Sequence, residues 1–541
     1  MKNFYLLFIC AIALNINTQA QVISQELVQH LDLDQIEEVL TEFGLPVDIL
    51  PLQYEVDFYK INYMTLHPNG DSVMVSGALC LPTGVTCPLP LSSYQHGTMA
   101  KKTNAPSHMV GEGDLGILYA SVGYAMVLAD YIGLGDSEDF HPYVHAESEA
   151  NTCLDLIRAA YDLQEELEYS LNDQLFIWGY SQGGHATAAL QRKIEVEYPN
   201  DFSITASAPM SGPYDISGAQ AEVITSDEIY PTPGYLPYVV LSYNEVYGTL
   251  FEELEDVFLP EYAAIIPDLF DGTHSMAEIN AAFPDIPNQA LLPAVLEAYE
   301  SDPMHPIRVA LEANNVLNWA PEAPTNIYYC EADDQVSYLN SEVAYEAYTA
   351  NGSTTVNLFN GGDYDHGGCA PLAMLAGFSF FQTLVETSFS PEVTLDITQV
   401  SSADATDGSV IVVIDEPGNW TYSWSNGSED LNLENLGTGF FTLTITDENG
   451  CEATFNASIS VATHVSELAQ NKINIYPVPV SDILNIEAED MDVVQLLDLS
   501  GRIISTHSFK EDKVQFDVSS LESGMYYLRF ENGVVGRFLK G

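Results

Sequence analysis

Apolar residues first recur at helical spacing in "ISQELVQHLDLDQIEEVLTEFGLP", within residues 22–48, which predicts a helix stopped by Gly44 and Pro46. The pattern then changes period. "YEVDFYKINYMT" and "VMVSGALCLP" alternate apolar and polar positions, as a pair of half-buried strands would. "PLPLSSYQHG" and "GYAMVLADYIGLG" are more continuously apolar, as expected of parallel strands covered on both faces. From there strands and helices alternate. The helix "ESEANTCLDLIRAAYDLQEEL" precedes the strand "DQLFIWGY", and an alanine-rich helix precedes the strand "FSITASAPMSG". Strands joined by crossover helices build a parallel sheet.

Between about Pro213 and Pro321 the alternation stops, in a Pro- and Tyr-rich stretch of helical patches such as "LLPAVLEAYES". The rhythm resumes with "TNIYYCEA", "SEVAYEAYTANG", "TTVNLFN" and "APLAMLAGFSFFQTLVE". An insertion of that size between two strands predicts a cap over the C-terminal edge of the sheet. Residues 393–462 carry short alternating strands with Asn426-Gly427 and Asn449-Gly450 as hairpin turns, and a second β-rich segment follows. The expected fold class is α/β: a mostly parallel sheet with a helical cap insertion, followed by two small all-β, sandwich-like modules. The expected divisions are a signal peptide at 1–20, a catalytic domain at 21–388 with its cap at about 213–321, a β module at 393–462 and a final module at 468–541.

A length of 541 residues agrees with several domains, since the usual domain size implies roughly three or four. Acids number 78 against 15 Lys and Arg, giving a formal charge of −63. They are spread along the whole chain, so the expectation is a solvated acidic surface with no nucleic-acid partner. "MKNFYLLFICAIALNINTQAQ" places Lys2 before a short apolar run and small residues before Gln21, the pattern of a secretory signal; no stretch is long enough for an integral membrane segment. An exported chain can oxidise its six remaining cysteines. Their spacing does not fix the pairing. Cys80 and Cys87 flank a Pro/Gly turn, and Cys330 and Cys369 fall near the ends of two core strands.

The chemistry centres on Gly179-Tyr180-Ser181-Gln182-Gly183, a G-x-S-x-G sequence between a strand and a helix. The glycines leave room for a serine held in a strained turn. A hydrolase of this build places its acid and base downstream. Asp333 or Asp334 lies in the loop after the first strand beyond the insertion; the spacing to Val336 favours Asp333, and Asp334 suits a helix cap. His366 follows the next strand inside a glycine-rich loop, where a general base belongs. The oxyanion needs two backbone N–H groups: that of Gln182, and that of Thr98 (or Gly97) in "SSYQHGTMA". His96 then shapes the loop. His185, His141 and His145 read as structural, and Asp136 and Asp139 beside the last two do not form a recurring metal-ligand spacing. No metal or cofactor is expected.

From about Gln53 to Thr387 the chain resembles the secretory, lipase-A-like branch of the α/β-hydrolases, through "ADYIGLGDS", "HPYVHAE", "IWGYSQGGHA", "APMSGPYD", "EADDQV" and "DHGGCA". That resemblance implies a carboxylic-ester hydrolase acting through an acyl-serine, with Ser181 as nucleophile, Asp333 as acid, His366 as base and a lid that forms the acyl pocket. Residues 393–462 resemble the SprB-like repeats of surface proteins ("YSWSNGS", "TDENGC"). Residues 471–541 resemble the type A C-terminal sorting domain of the type IX secretion system ("NIYPVPVSDILNI", "LLDLSGR", "SGMYYLRF"), with Val478 in place of the usual Asn. The last resemblance implies type IX machinery as a partner, passage through the periplasm and a secreted or cell-surface product. Two competing functions share parts of this sequence. A serine exo- or oligopeptidase would add an acidic pair for a substrate amine or a propeller; no propeller repeat is present, while acids in the insertion leave the acidic pair open. A non-catalytic surface adhesin would have no need to keep Ser181, an acid, His366 and the His-Gly loop together.

Overall fold

The computed structural model describes residues 21–42, 50, 52–248, 250–386, 391, 393–402, 405–414, 418–447 and 451–460. Towards the C-terminus it describes 474–476, 480, 482–487, 493–497, 503–508, 513–521, 524–530 and 535–540. The expected signal sequence, the helix stop at Gly44 and Pro46, Asn449-Gly450 and Val478 lie outside the described residues.

Nine strands form one sheet: β1 (Val22–Leu31), β2 (Val56–Leu66), β3 (Ser72–Pro82), β4 (Leu89–Gln95), β5 (Ala125–Ala129), β6 (Leu171–Tyr180), β7 (Ala206–Met210), β8 (Thr325–Tyr329) and β9 (Val356–Asn360). Their order is β1-β2-β3-β5-β4-β6-β7-β8-β9. β1 to β3 pair antiparallel and β3 meets β5 antiparallel, while every pair from β5 to β9 is parallel. All residues of β4, β5, β7 and β8 are buried, which is why these strands read as continuous apolar runs.

Helices cover both faces. On one, α3 (Ala146–Asp162) and α4 (Gln182–Glu197) bring Leu154, Ile157 and Leu190 against Val127 and Ile177. On the other, α2 (Gly113–Ala120) and the helix His366–Gln382 enclose Trp178, whose ring meets Tyr94 and Tyr119 edge-on at 4.8 and 4.5 Å. Each such large side chain, fully buried, contributes about 1.5–3 kcal/mol of hydrophobic stabilisation.

The N-terminal segment differs from expectation. It is not one helix but strand β1 followed by α1 (Leu33–Glu42). The apolar positions that suggested a helical stripe, Ile23, Leu27 and Val28, are exposed, and the backbone of this segment is satisfied by the β2 ladder instead. α1 starts at a reciprocal cap: Asp32 Oδ1 accepts from Gln35 N at 2.9 Å while Gln35 Oε1 accepts from Asp32 N at 3.0 Å.

Between β7 and β8 the chain forms short helices, including Tyr235–Tyr247 and Pro306–Ala313, around a separate core containing Tyr243, Phe258 and Ile279. Beyond the sheet, three-stranded sheets form from 393–398, 408–414 and 433–436, and from 421–424, 439–446 and 452–459. Gly427 takes φ +86° in the turn after Trp424, as the Asn-Gly pair predicts. The C-terminal strands form a three-stranded and a four-stranded sheet with Leu484, Leu528 and Phe538 in their core.

Cys330 and Cys369 are bonded to each other. Cys87 pairs with Cys451 rather than with Cys80. Cys80 is buried on β3, with Gly116 packed on its sulfur, and Cys153 is buried in α3; both are free thiols.

Candidate active site

β6 ends at Tyr180 and α4 begins at Gln182, so the chain reverses within one residue. Ser181 adopts φ 62° and ψ −122°, a conformation that costs a non-glycine residue about 1–3 kcal/mol. Its N–H donates to Met210 O at 2.9 Å, which holds the turn against β7. The neighbouring glycines are sterically required. A Cβ on Gly179 would lie 2.5 Å from the Gln95 carbonyl oxygen, one on Gly183 would lie 1.9 Å from the same atom, and one on Gly184 would lie 2.4 Å from Met210 O. The loop after β4 therefore sits directly on the serine turn.

The segment after β8 and the helix after β9 meet beside this turn. His366 Nδ1 lies 2.7 and 2.9 Å from the two oxygens of Asp333. Asp333 is almost fully buried, and its Oδ1 also accepts from Gln335 N and Val336 N at 3.0 and 2.8 Å. A carboxylate facing Nδ1 places the imidazole proton there and leaves Nε2 bare. Asp334 does not cap the following helix; it accepts from the backbone N–H of His366 at 3.2 Å. His366 does not lie in a loop either. It is the first residue of a helix whose N-cap, Asp365, accepts from Gly368 N at 2.7 Å. Tyr180, next to Ser181, donates its hydroxyl to His366 O at 2.6 Å, and its ring centroid is 4.8 Å from the imidazole.

Gln182 N, at the start of α4, has no backbone acceptor among the described residues, and neither has Thr98 N. Gly97 N is already taken: it donates to Glu112 Oε2 at 2.9 Å, and the same carboxylate oxygen accepts from Tyr94 at 2.6 Å. Of the two candidates on this loop, Thr98 is the one left with a free donor. Its side chain is anchored, with Thr98 Oγ1 2.9 Å from Tyr143 OH, and Tyr143 stacks on Tyr238 of the cap at 4.5 Å. The His96 ring nitrogens face the carbonyls of Gly97 and Asp130, which shapes the loop.

Burial pushes the His141 pKa down to about 3 and that of His145 to about 4, so both rings are neutral near pH 7. His145 caps α3 by accepting from Ser148 N, and Asp136 pairs with Lys60 at 2.6 Å. No group of three or more metal-ligating side chains forms among the described residues.

A cavity opens at Ser181 and Gln182 and runs into the cap, between residues such as Ile216, Leu236, Val239 and Leu311. Its walls are almost wholly apolar and, among the described residues, include no Asp or Glu.

A mostly parallel sheet, a serine on a strained strand-to-helix turn and a helical cap define the α/β-hydrolase fold. Residues 116–198 match the model of the prolyl oligopeptidase family, and residues 474–536 match that of the secretion system C-terminal sorting domain. Among solved structures, the rice cell wall degrading esterase LipA from Xanthomonas oryzae is 28% identical at a TM-score of 0.59, the match covering 67% of this chain and 96% of that one. A hydrolase from Legionella pneumophila subsp. pneumophila str. Philadelphia 1, described as putative, is 28% identical at a TM-score of 0.63 over 67% and 98% of the two chains. Candida antarctica lipase A shares the fold at 16% identity and a TM-score of 0.52 over 67% and 81%. No curated protein matches the chain. The chain thus has the α/β-hydrolase fold and carries a secretion-system C-terminal sorting domain, and that tail marks it as secreted or displayed at the cell surface. Among the described residues no helix is long and apolar enough to cross a membrane.

Proposed function

We propose that this hydrolase cleaves carboxylic esters through an acyl-serine intermediate. Ser181 Oγ attacks the ester carbonyl carbon and its proton passes to His366 Nε2. Asp333 holds the ring and offsets the charge it gains. The tetrahedral oxyanion accepts hydrogen bonds from Gln182 N–H and Thr98 N–H. Collapse expels the alcohol, which takes the proton from His366; water then repeats the sequence on the acyl-enzyme.

The cavity carries the choice of substrate. It meets Ser181, follows the cap and is lined by aliphatic and aromatic side chains, which suits a hydrocarbon acyl chain. The match to the prolyl oligopeptidase family favours a second function, peptide cleavage with the same triad. Against it, the cavity lining among the described residues has no carboxylate to hold a substrate ammonium. The direct test is a short incubation with p-nitrophenyl butyrate, acid quenching and peptide mass mapping. A butyryl group on the Ser181 peptide supports the proposal; an adduct elsewhere, or none despite turnover, contradicts it. We also propose that residues 393–462 form a separate module between the catalytic domain and the sorting tail.

A further inference from the structure

We propose that Glu149 and His185 are positioning residues of this reaction, holding the Gln182 N–H in place through a buried chain of hydrogen bonds that starts at the cap. The proposal rests on Ser181 as nucleophile and Gln182 N–H as oxyanion donor.

The side-chain amide of Gln182 is clamped on both of its hydrogens. Gln182 Nε2 lies 2.7 Å from Glu149 Oε1 and 2.9 Å from His141 Nε2. His141 can accept there because its Nδ1 donates to Ile132 O at 2.8 Å and its ring is neutral. The other oxygen of Glu149 lies 2.8 Å from His185 Nδ1, and His185 Nε2 lies 2.9 Å from Asn314 O. Both nitrogens of His185 thus face oxygen atoms, a carboxylate on one side and a backbone carbonyl on the other. Both side chains are almost fully buried, so neither polar group can turn to water if the other is lost.

Gln182 and His185 are the first and fourth residues of α4. Between them stand Gly183 and Gly184, which must be bare because a Cβ on either would strike backbone oxygen. The first turn of α4 therefore has only Gln182 and His185 as side-chain anchors. Asn314, at the far end of the chain, is itself pinned. Its Oδ1 accepts from Ala146 N at 3.0 Å, and its Nδ2 donates to Tyr247 OH at 2.8 Å and Ala310 O at 2.9 Å. The start of α3, the cap and the start of α4 are joined through one asparagine, so the seating of the cap is coupled to the oxyanion donor.

The test measures the rate at which an alkyl fluorophosphonate labels the full chain, alongside the melting temperature. Labelling needs the nucleophile and the oxyanion pocket but no ester: an Oγ–P bond forms at Ser181, the P–F bond breaks, fluoride leaves and the serine proton passes to His366. Glu149→Leu removes the acceptor of both Gln182 Nε2 and His185 Nδ1. Gln182→Met cuts the same clamp from the other end without changing any charge, and so serves if the first variant folds poorly. In Glu149→Gln the new amide oxygen can accept from Gln182 Nε2 and the new amide N–H can donate to Nδ1 of a neutral imidazole whose Nε2–H still donates to Asn314 O, so every bond can be remade. We expect Glu149→Leu and Gln182→Met to label roughly 10- to 100-fold more slowly, less than the loss for deleting an oxyanion donor outright, with Glu149→Gln keeping most of the rate. Wild-type labelling rates in both Glu149→Leu and Gln182→Met would overturn the proposal and leave the role of Ser181 standing. A wild-type protein that is not labelled at all would overturn the role of Ser181, and the proposal with it.

Discussion

The imidazole Nδ1 of His366 lies 2.7 Å from one oxygen of Asp333, although Asp333 follows strand β8 and His366 opens the helix after β9. Asp334, one residue on, reaches only the backbone N–H of His366. Replacing these neighbours should have unequal effects. Asp333→Asn should lower kcat by about 10⁴, because the amide stabilises the wrong tautomer and offsets no charge. Asp334→Asn should lower it less than about tenfold, since the asparagine oxygen still accepts from the same N–H. Steady-state turnover of both variants on one ester checks this, and similar losses would refute the assignment.

The disulfide Cys330–Cys369 ties the same two segments together: Cys330 lies three positions before Asp333 and Cys369 three after His366. Its partners are 39 positions apart, and closing a loop of that length stabilises a fold by about 4 kcal/mol in the chain-entropy model. Cys330→Ala/Cys369→Ala should lower the melting temperature by on the order of 10 °C. It should also lower kcat more than it changes KM, because the looser element is the acid–base pair rather than the cavity. Calorimetry and steady-state kinetics on the double variant test both parts.

The two free cysteines make a simpler prediction. Burial pushes the thiols of Cys80 and Cys153 well above their ordinary value. Neither should react with a thiol reagent such as dithionitrobenzoate in the native protein, and both should react in guanidinium. Fast labelling under native conditions would contradict the packing around β3 and α3.

The buried histidines give the stability curve a sign. His145 has a pKa of about 4 in the fold, held down chiefly by burial, against about 6.5 unfolded. Below pH 6.5 the unfolded chain takes up a proton that the native one refuses. Stability from this group is therefore present above pH 6.5 and lost down to about pH 4, at about 1.4 kcal/mol per pH unit. The melting temperature of wild type should fall more steeply between pH 6.5 and 4 than that of His145→Gln, and parallel curves would refute it.

Much of this architecture is legible in the sequence because local pattern and final environment agree. Strands β4, β5, β7 and β8 are buried throughout, β6 is buried from Gln174 onward, and most of their positions are apolar. The serine turn is legible for a steric reason: Gly179 and Gly183 are forced by the approach of Gln95, so the motif records a contact. The N-terminal strand is not legible, because Ile23, Leu27 and Val28 fit a helix while the β2 edge decides the conformation. Nor is the partnership of Glu149 with Gln182 and His185. No periodicity links positions 33 and 36 apart, and a lone glutamate in a helix reads as solvated. The Cys87–Cys451 pairing, 364 positions apart, is hidden in the same way. The one available signal was the density of polar residues, "HAESEAN" and "SQGGH", in segments otherwise bound for the core.

Cavity shape should set acyl preference. Ala221 is a small residue on the cavity wall. Ala221→Phe should shorten the space, lowering kcat/KM for p-nitrophenyl dodecanoate by more than about tenfold while leaving the acetate within about threefold. An unchanged chain-length profile would remove the cavity from the binding of the acyl group.

The most direct measurement compares turnover of p-nitrophenyl esters, from acetyl to palmitoyl, by the full chain and by Ser181→Ala, with an aminoacyl p-nitroanilide series in parallel. Ester hydrolysis by wild type, reduced roughly 10⁴- to 10⁶-fold in the variant, with anilides cleaved far more slowly, is the predicted result. Equal ester turnover in the two proteins, or efficient anilide cleavage with no ester hydrolysis, would contradict it.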